Sequence, residues 1–281
     1  RLVLVGDKDQ LPSVGPGNVL KDLINCGRIP VTFLTEIYRQ KQGSRIILNA
    51  HAVNRGQSLD LRSPAGDLLG DFYWIEQDDP QKVAELICLL LSERIPRSFG
   101  YDAMRDMQVL SPMRKGAAGV LALNTLLQEK LNPPDPAEKP ELRLGNHLFR
   151  LGDKVMQTAN NYDKSVFNGE MGRISRMGSE SFSVLYEHAE VEYQNHEAEQ
   201  LFLAYASTVH KSQGSEFPVV VMPVLTQHYV MLQRTLLSTG MTRAKKLLIL
   251  IGSRKALEIA IANNTPQQRI SLLEKRIRDW R

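Results

Sequence analysis

The chain has 281 residues, enough for more than one structural unit, with the composition of an ordinary globular protein. No apolar run approaches the ~20 residues of a bilayer span and no secretory signal pattern is present, so no membrane partner is expected. Cys26 and Cys88 belong to no CxxC pair, which argues against a disulfide framework or zinc site and for a reducing, cytoplasmic setting; a net charge of +4 permits contact with a polyanion without demanding it.

The first element is the apolar run Leu2–Val5, which reads as a buried strand and closes on GDKDQ. Asp7, Asp9 and Gln10 stand where a side-chain amide would orient a water or phosphate oxygen beside a nucleotide, although a solvated turn explains the same residues. A second run, VTFL at 31–34, reads as a strand followed by LTEIYRQ, which sets the Tyr38 ring beside the Arg39 guanidinium, an aromatic face for a base next to a cation for phosphate. DDPQKVAELICLLLSER then predicts a helix, with Asp79 as cap, Pro80 at its first position and Val83, Leu86, Ile87 and Leu90 at helical spacing. Trp74, just before it, reads as core.

MQVLSP (107–112), VVVMP (219–223) and KLLILIG (246–252) look like strands buried on both faces of a parallel sheet, which makes the fold α/β. Such sheets hold ligands at the carboxyl ends of their strands. From about Glu141 to Gln200 the helical pattern gives way to short alternating segments punctuated by Gly and Asn, behind the Pro-rich linker NPPDPAEKP; this predicts a small β-barrel inserted into the α/β unit. Arg143, Arg150, Lys154, Lys164, Arg173 and Arg176 occupy its first part and Glu187, Glu190, Glu192, Glu197 and Glu199 its second. A basic rim would suit a nucleic-acid backbone; a solvated face of mixed charge is the alternative. Tyr162 or Phe167 would stack on a base at that rim.

STVHKSQGSEF packs hydroxyl, imidazole, ammonium and amide groups before a core strand, more than packing needs, with a capped helix as the structural alternative. GMTRAKK places Arg243 at a strand edge, with Lys245 and Lys246 as a solvated rim. TPQQRISLLEKRIRDW predicts a last helix capped by Thr265, with Pro266 at its first position and Ile270, Leu273, Ile277 and Trp280 packed onto the second domain.

Taken in order, GDKDQLPSVGPG, LTEIYRQ, VLSPMRKGAAGVLALN, RLGDKVMQTANNY with FNGEMG, TVHKSQGSEFP and TGMTRAKK resemble the carboxyl-terminal half of the RecD-like DNA helicases of superfamily one. The resemblance covers nearly the whole chain and is nearer the stand-alone type than the alpha subunit of exodeoxyribonuclease V, through LPSVGPGN and NNYDKSVFNGEMG. It implies RecA-like (P-loop NTPase type) parallel-sheet domains with an SH3-like β-barrel inserted in the second. Residues 1–40 would end the first RecA-like domain, 41–140 and 201–281 would form the second, and 141–200 the barrel. Motif by motif, it implies that Gln10 senses the γ-phosphate with Asp7 close to the nucleotide, that Tyr38 is the platform for adenine, that Arg39 is a γ-phosphate ligand and that Arg243 is the second arginine finger. Thr208 and His210 would face single-stranded DNA, Gly214 and Glu216 would lie near the nucleotide, and Ser111, Arg114 and Lys115 would touch the DNA backbone.

ATP and Mg2+ are the implied cofactors; single-stranded DNA and duplex junctions are the implied partners. The sequence holds no GxxxxGK[ST] phosphate cradle and no strand ending in an acidic pair ahead of GDKDQ. The chain is therefore expected to begin after those elements and to hydrolyse ATP negligibly alone, its site completed by upstream domains of a 5′ to 3′ helicase. A subunit of a helicase-nuclease complex, a non-catalytic single-stranded-DNA-binding module and a relaxase-linked conjugation helicase stay open.

Overall fold

The computed structural model describes residues 2–7, 10–12, 15, 17–34, 44–62, 69–135, 137, 140–144, 147–264 and 271–280. Helices α1 (Val19–Asn25) and α2 (Arg45–Asn54) precede strand β1 (Phe72–Glu76). Helix α3 (Pro80–Leu89) begins as expected, with Asp79 Oδ1 accepting from the backbone N–H of Gln81 at 2.8 Å and of Lys82 at 3.2 Å. It runs on through a π turn (Leu90–Arg94) into α4 (Ile95–Phe99), because Pro96 has no N–H and its ring would crowd the carbonyl four residues back in a regular helix. Strand β2 (Met107–Ser111) and helix α5 (Val120–Leu131) complete the first stretch.

A β-rich stretch follows: β3 (Glu141–Leu144), β4 (His147–Arg150), β5 (Lys154–Gln157), β6 (Met171–Met177), β7 (Ser181–Leu185), β8 (Glu190–Gln194) and β9 (Leu201–Leu203). The chain then gives β10 (Ala206–Thr208), β11 (Phe217–Val224), α6 (Arg234–Met241), β12 (Ala244–Gly252), α7 (Arg254–Ala262) and α8 (Leu273–Asp279).

The large sheet has the order β1-β12-β11-β2-β10 and every pair in it is parallel. Its central strands alternate between two cores. Val220, Met222, Val224, Leu248 and Leu250 face α2, α6 and α7, whereas Val219, Val221, Leu247, Ile249 and Ile251 face α3, α4 and α5. A strand covered on both sides has no solvent face, so its sequence reads as an unbroken apolar run. Trp74 packs against the first of these cores. The fold is thus the expected α/β parallel sheet.

The two amino-terminal runs differ from expectation. Leu2–Val5 and Val31–Leu34 form no strand, and Leu2, Val3, Val5 and Leu34 are each more than four-fifths exposed. An apolar run becomes a strand only beside a strand it can pair with. The large sheet is already ordered without them. At the other end, α8 lies against α1, with Arg28 donating to the Arg278 carbonyl at 3.0 Å, and not on the second domain. Both faces of the large sheet are already covered by the six other helices, and Trp280 is left 78% exposed. Thr265, Pro266 and Ile270 lie outside the described residues.

The small sheet is antiparallel in the order β8-β7-β6-β5-β9, with β3 and β4 as a separate hairpin. Phe149, Val155, Ile174, Val184, Tyr193 and Leu201 fill its interior. Strand β9 pairs with β5, so this sheet runs to Leu203, three residues beyond Gln200, before β10 joins the large sheet.

A buried polar seam joins the barrel to the large sheet. Asp153, fully buried, accepts from Gln128 Nε2 (2.6 Å), Asn132 Nδ2 (2.7 Å), Arg150 N (2.7 Å) and Tyr205 Oη (2.7 Å). Lys154 donates through Nζ to the Met107 carbonyl at 2.9 Å. Burial pushes this ammonium down from 10.5 to about 8, against the opposing pull of Asp102 and Asp106. Between those two values the unfolded chain binds the additional proton, so the contribution of Lys154 to stability rises with pH across that window. Below it the native charge costs up to about 3 kcal/mol. Lys154→Met, losing one hydrogen bond in exchange, is expected to stabilise the protein by about 1–2 kcal/mol at neutral pH and to remove the upward slope. Urea unfolding at neutral and alkaline pH checks both, and a destabilised variant with the slope intact would refute the assignment.

Candidate nucleotide and nucleic-acid site

Arg243 occupies the tight connection between α6 and β12, its N–H donating to the Gly240 carbonyl at 3.2 Å and its carbonyl accepting from Phe217 N at 2.8 Å. The residue is 5% exposed. Its guanidinium donates to the Thr239 carbonyl (3.2 Å), the Ser215 carbonyl (3.0 Å) and, through Nη2, Gln10 Oε1 (3.1 Å). Gln10 is 233 residues away in the chain and donates in turn to Asp7 Oδ2 at 3.0 Å. Two backbone contacts fix the approach: Leu11 N donates to Thr239 Oγ1 at 3.2 Å, and Gln213 Nε2 donates to the Leu11 carbonyl at 2.9 Å. The structure therefore brings Asp7, Gln10 and Arg243 together beside the 209–216 loop. That loop turns at Gly214, whose φ of +83° lies in the left-handed region. Glu216 pairs with Lys245 at 3.3 Å. Tyr38 and Arg39 lie outside the described residues, as does Asp9.

A guanidinium and an amide side by side suit the oxygens of a phosphate. They make one wall of a site. Among the described residues no group of three or more His, Cys, Asp or Glu is placed to hold a metal ion, and the sequence has no phosphate cradle. From that wall Gln10 and Arg243 could meet phosphate oxygens, and the residues that would hold a magnesium ion are not among those described.

The second surface lies at the carboxyl ends of β2 and β10. Ser111, expected to touch the DNA backbone, is instead fully buried, and its hydroxyl donates to the Ala118 carbonyl at 2.8 Å. The loop after β2 folds back on itself, so the hydroxyl is used to close it. That closure turns Arg114 and Lys115 outward, and both are exposed. The Arg114 guanidinium stands 5.6 Å from the centre of the Phe202 ring on β9, which ties this loop to the barrel. Beyond β10, Thr208 Oγ1 accepts from Lys211 N at 3.2 Å in the turn that follows. His210 is half-buried, and burial pushes its imidazole down. Lys211 is exposed, yet partial desolvation and then the neighbouring Arg114 charge push its ammonium down.

The barrel reaches the same place through the hairpin bridged by Asn161 and Val166. Tyr162 is 75% exposed and meets Phe167 edge to face with centroids 6.0 Å apart. A side chain at Gly169 would come within 3.7 Å of the Lys211 carbonyl, which sets the hairpin base against the Thr208–Lys211 turn.

The expected basic rim of the barrel is largely absent. Arg150 is buried between Glu129 (2.6 Å) and Glu141 (2.7 Å), Lys154 is buried in the seam, Lys164 pairs with Glu197 at 3.0 Å, and Arg176 pairs with Glu190. Acids on α5 and β3 neutralise Arg150, one on β8 neutralises Arg176 and one in the turn after β8 neutralises Lys164, so the mixed-charge alternative describes this face. Arg143 and Arg173 remain exposed. The cations that do gather are Arg114, Lys115 and Lys211. Sequence reasoning missed Lys211 and Phe202: only the fold places one beside Arg114 and the other under it.

Three family models match in succession: an AAA domain over residues 1–68, the SH3 domain of ATP-dependent RecD-like DNA helicases over 123–193, and a UvrD-like helicase C-terminal domain over 203–251. The ATP-dependent RecD2 DNA helicase of Deinococcus radiodurans is 35% identical over 98% of this chain and 36% of its own length. The RecBCD enzyme subunit RecD of Mycolicibacterium smegmatis is 27% identical over 99% of this chain and 49% of its own. The chain thus spans between about a third and about half of these relatives. A Pif1 helicase from Bacteroides, solved in complex with ADP-AlF3 and single-stranded DNA, superposes with a TM-score of 0.51 at 16% identity, over 93% of this chain and 63% of that one, a likeness of fold. With a RecA-like parallel sheet, an SH3 barrel within it and relatives that match nearly the whole of this chain, the chain belongs to the RecD-like DNA helicases of superfamily one.

Proposed function

We propose that the chain is the carboxyl portion of a cytoplasmic, ATP-dependent helicase that moves 5′ to 3′ along single-stranded DNA and opens duplex at junctions. The observation that carries this reading is the Gln10–Arg243 hydrogen bond of 3.1 Å. It joins the two sides of an interdomain gap: residues 1–40 as the end of the first RecA-like domain, and 41–140 with 201–281 as the second, interrupted by the barrel at 141–200. Asp7, Gly214 and Glu216 line the same gap, and Tyr38 and Arg39 would add a platform for adenine and a second guanidinium. Bound ATP supplies the free energy of phosphoryl transfer. The chain's part is to hold the Gln10 amide and the Arg243 guanidinium toward the terminal phosphate, so that its presence is reported through Gln213 and the 209–216 loop to Thr208 and His210 on the DNA side.

Arg114, Lys115 and Lys211 would meet the sugar-phosphate backbone, and Tyr162 with Phe167 would stack on bases, giving binding that is sensitive to salt and largely indifferent to sequence. The exposed apolar runs at 2–5 and 31–34 also support an upstream part of the first domain as their cover. The 281-residue chain alone is expected to turn over ATP negligibly even with single-stranded DNA in a coupled-enzyme assay, and robust turnover would overturn the division of labour. Relatives named as RecBCD subunits favour a second reading, membership of a helicase-nuclease complex. Copurification with large nuclease partners would decide for it.

A further inference from the structure

The carboxyl edge of the large sheet continues past the Arg114–Lys115 loop. The chain leaving β11 forms a short 3-10 turn, Thr226–Met231, and the Gln227 side chain lies against that loop: a β-carbon at Gly116 would stand 3.5 Å from Gln227 Oε1. His228 anchors the turn. It is fully buried, its Nδ1 accepts from Leu225 N at 3.3 Å, and burial pushes its imidazole down to about 4, so the anchor is neutral. Holding His228 inward turns the next two side chains out, and Tyr229 and Val230 are 68% and 76% exposed. Beside Tyr229, the residues following β1, β11 and β12 border an open depression of about 520 Å³, lined by Asp78, Thr226, Tyr229, Ser253, Lys255 and Ile259. The carboxyl ends of parallel strands are where such sheets hold ligands, and an open depression suits one base of a strand lying across the surface. An aromatic face and an aliphatic side chain stand together with an ammonium and two hydroxyls. That combination fits a base and the phosphate next to it, with the Asp78 carboxylate suited to a base amino group and opposed to a phosphate.

We propose that this depression is a further subsite for single-stranded DNA, in which Tyr229 stacks on a base and Lys255 meets the adjacent phosphate. It prolongs the path that starts at the barrel hairpin and passes Arg114 and Lys115, and it rests on the reading of that loop as a DNA surface. Every base has a π face, so the subsite takes any of them. Lys255 adds one phosphate contact to the salt dependence of binding.

The test uses the 281-residue chain and an oligothymidylate of about 20 nucleotides, a length that covers several contacts. Tyr229→Leu is expected to weaken binding about tenfold, and Lys255→Ala to weaken it less while lowering the slope of log affinity against log salt by about one. With 5-iododeoxyuridine in the oligonucleotide, irradiation should cross-link the peptide holding Tyr229, and Tyr229→Leu should abolish that product. Both side chains are exposed, so neither change should alter the melting temperature. If Arg114→Ala weakens binding while Tyr229→Leu and Lys255→Ala bind as the unaltered chain does, the subsite is overturned and the loop reading stands. If none of the three changes affects affinity, both fall.

Discussion

In the helicase proposed above, Arg243→Ala is expected to lower the DNA-stimulated kcat for ATP hydrolysis by about a thousandfold or more, with a far smaller change in KM. The reason lies in where the guanidinium sits. It is 5% exposed, and the Thr239 and Ser215 carbonyls fix its plane, so little conformational freedom remains to be lost when charge builds on a transferred phosphoryl group. A cation placed in advance stabilises the transition state more than the ground state, and kcat carries the loss. Arg243→Lys should fall nearly as far, because an ammonium offers a point charge in place of a planar fork whose spread donors reach Gln10 and two carbonyls from separate nitrogens. Gln10→Ala should uncouple turnover from DNA with a smaller loss of kcat. Since Arg243 also ties α6 to the 209–216 loop, the melting temperature of each variant must be read beside its kinetics. A kcat within about tenfold of the unaltered protein, at an unchanged melting temperature, would remove Arg243 from the mechanism.

How much of this was legible in the sequence differs from element to element. Strands β2, β11 and β12 were, because a strand with helices on both faces leaves a continuous apolar run. The start of α3 was, because Asp79 followed by Pro80 is a local signal completed by local bonds. Leu2–Val5 was read as a strand on the same grounds and is not one: the apolar pattern records what a segment buries in company, and pairing needs a neighbour. The barrel was legible through its Gly and Asn turns, whereas its basic rim was not. The acids that neutralise Arg150, Lys164 and Arg176 lie between 9 and 33 residues away from them. Ser111 failed for a related reason, since a hydroxyl that closes a loop and one that meets a ligand look alike until the loop's own carbonyls are located. Gln10 and Arg243 were named from motifs, and their 3.1 Å contact is a long-range fact that no periodicity encodes.

Asp153→Ala is expected to destabilise the protein by about 3–5 kcal/mol, the largest effect on folding of any single change considered. Four donors from separate elements, Gln128 at the end of α5, Asn132 beyond it, Tyr205 before β10 and the Arg150 backbone, converge on one fully buried carboxylate. Removing it saves one charge's desolvation and strands four donors in a place no water reaches. Asp153→Asn keeps the shape but turns one acceptor into a donor facing donors, and should still cost about 2 kcal/mol. Burial pushes the Asp153 carboxyl up, so the native state favours its proton and the stability from this group declines as pH rises through that native value, the reverse of a surface carboxylate held down by an arginine, such as Asp60 beside Arg62. The seam also has a functional consequence. Arg114 on the sheet and Phe202 on the barrel touch only while the two are locked, so a loosened seam should weaken DNA binding at temperatures where the chain is still folded. Urea unfolding of Asp153→Ala together with an oligonucleotide titration well below its midpoint separates the two effects. A cost under about 1 kcal/mol would mean that the donors find other partners and that the barrel is hinged to the sheet, not fixed to it.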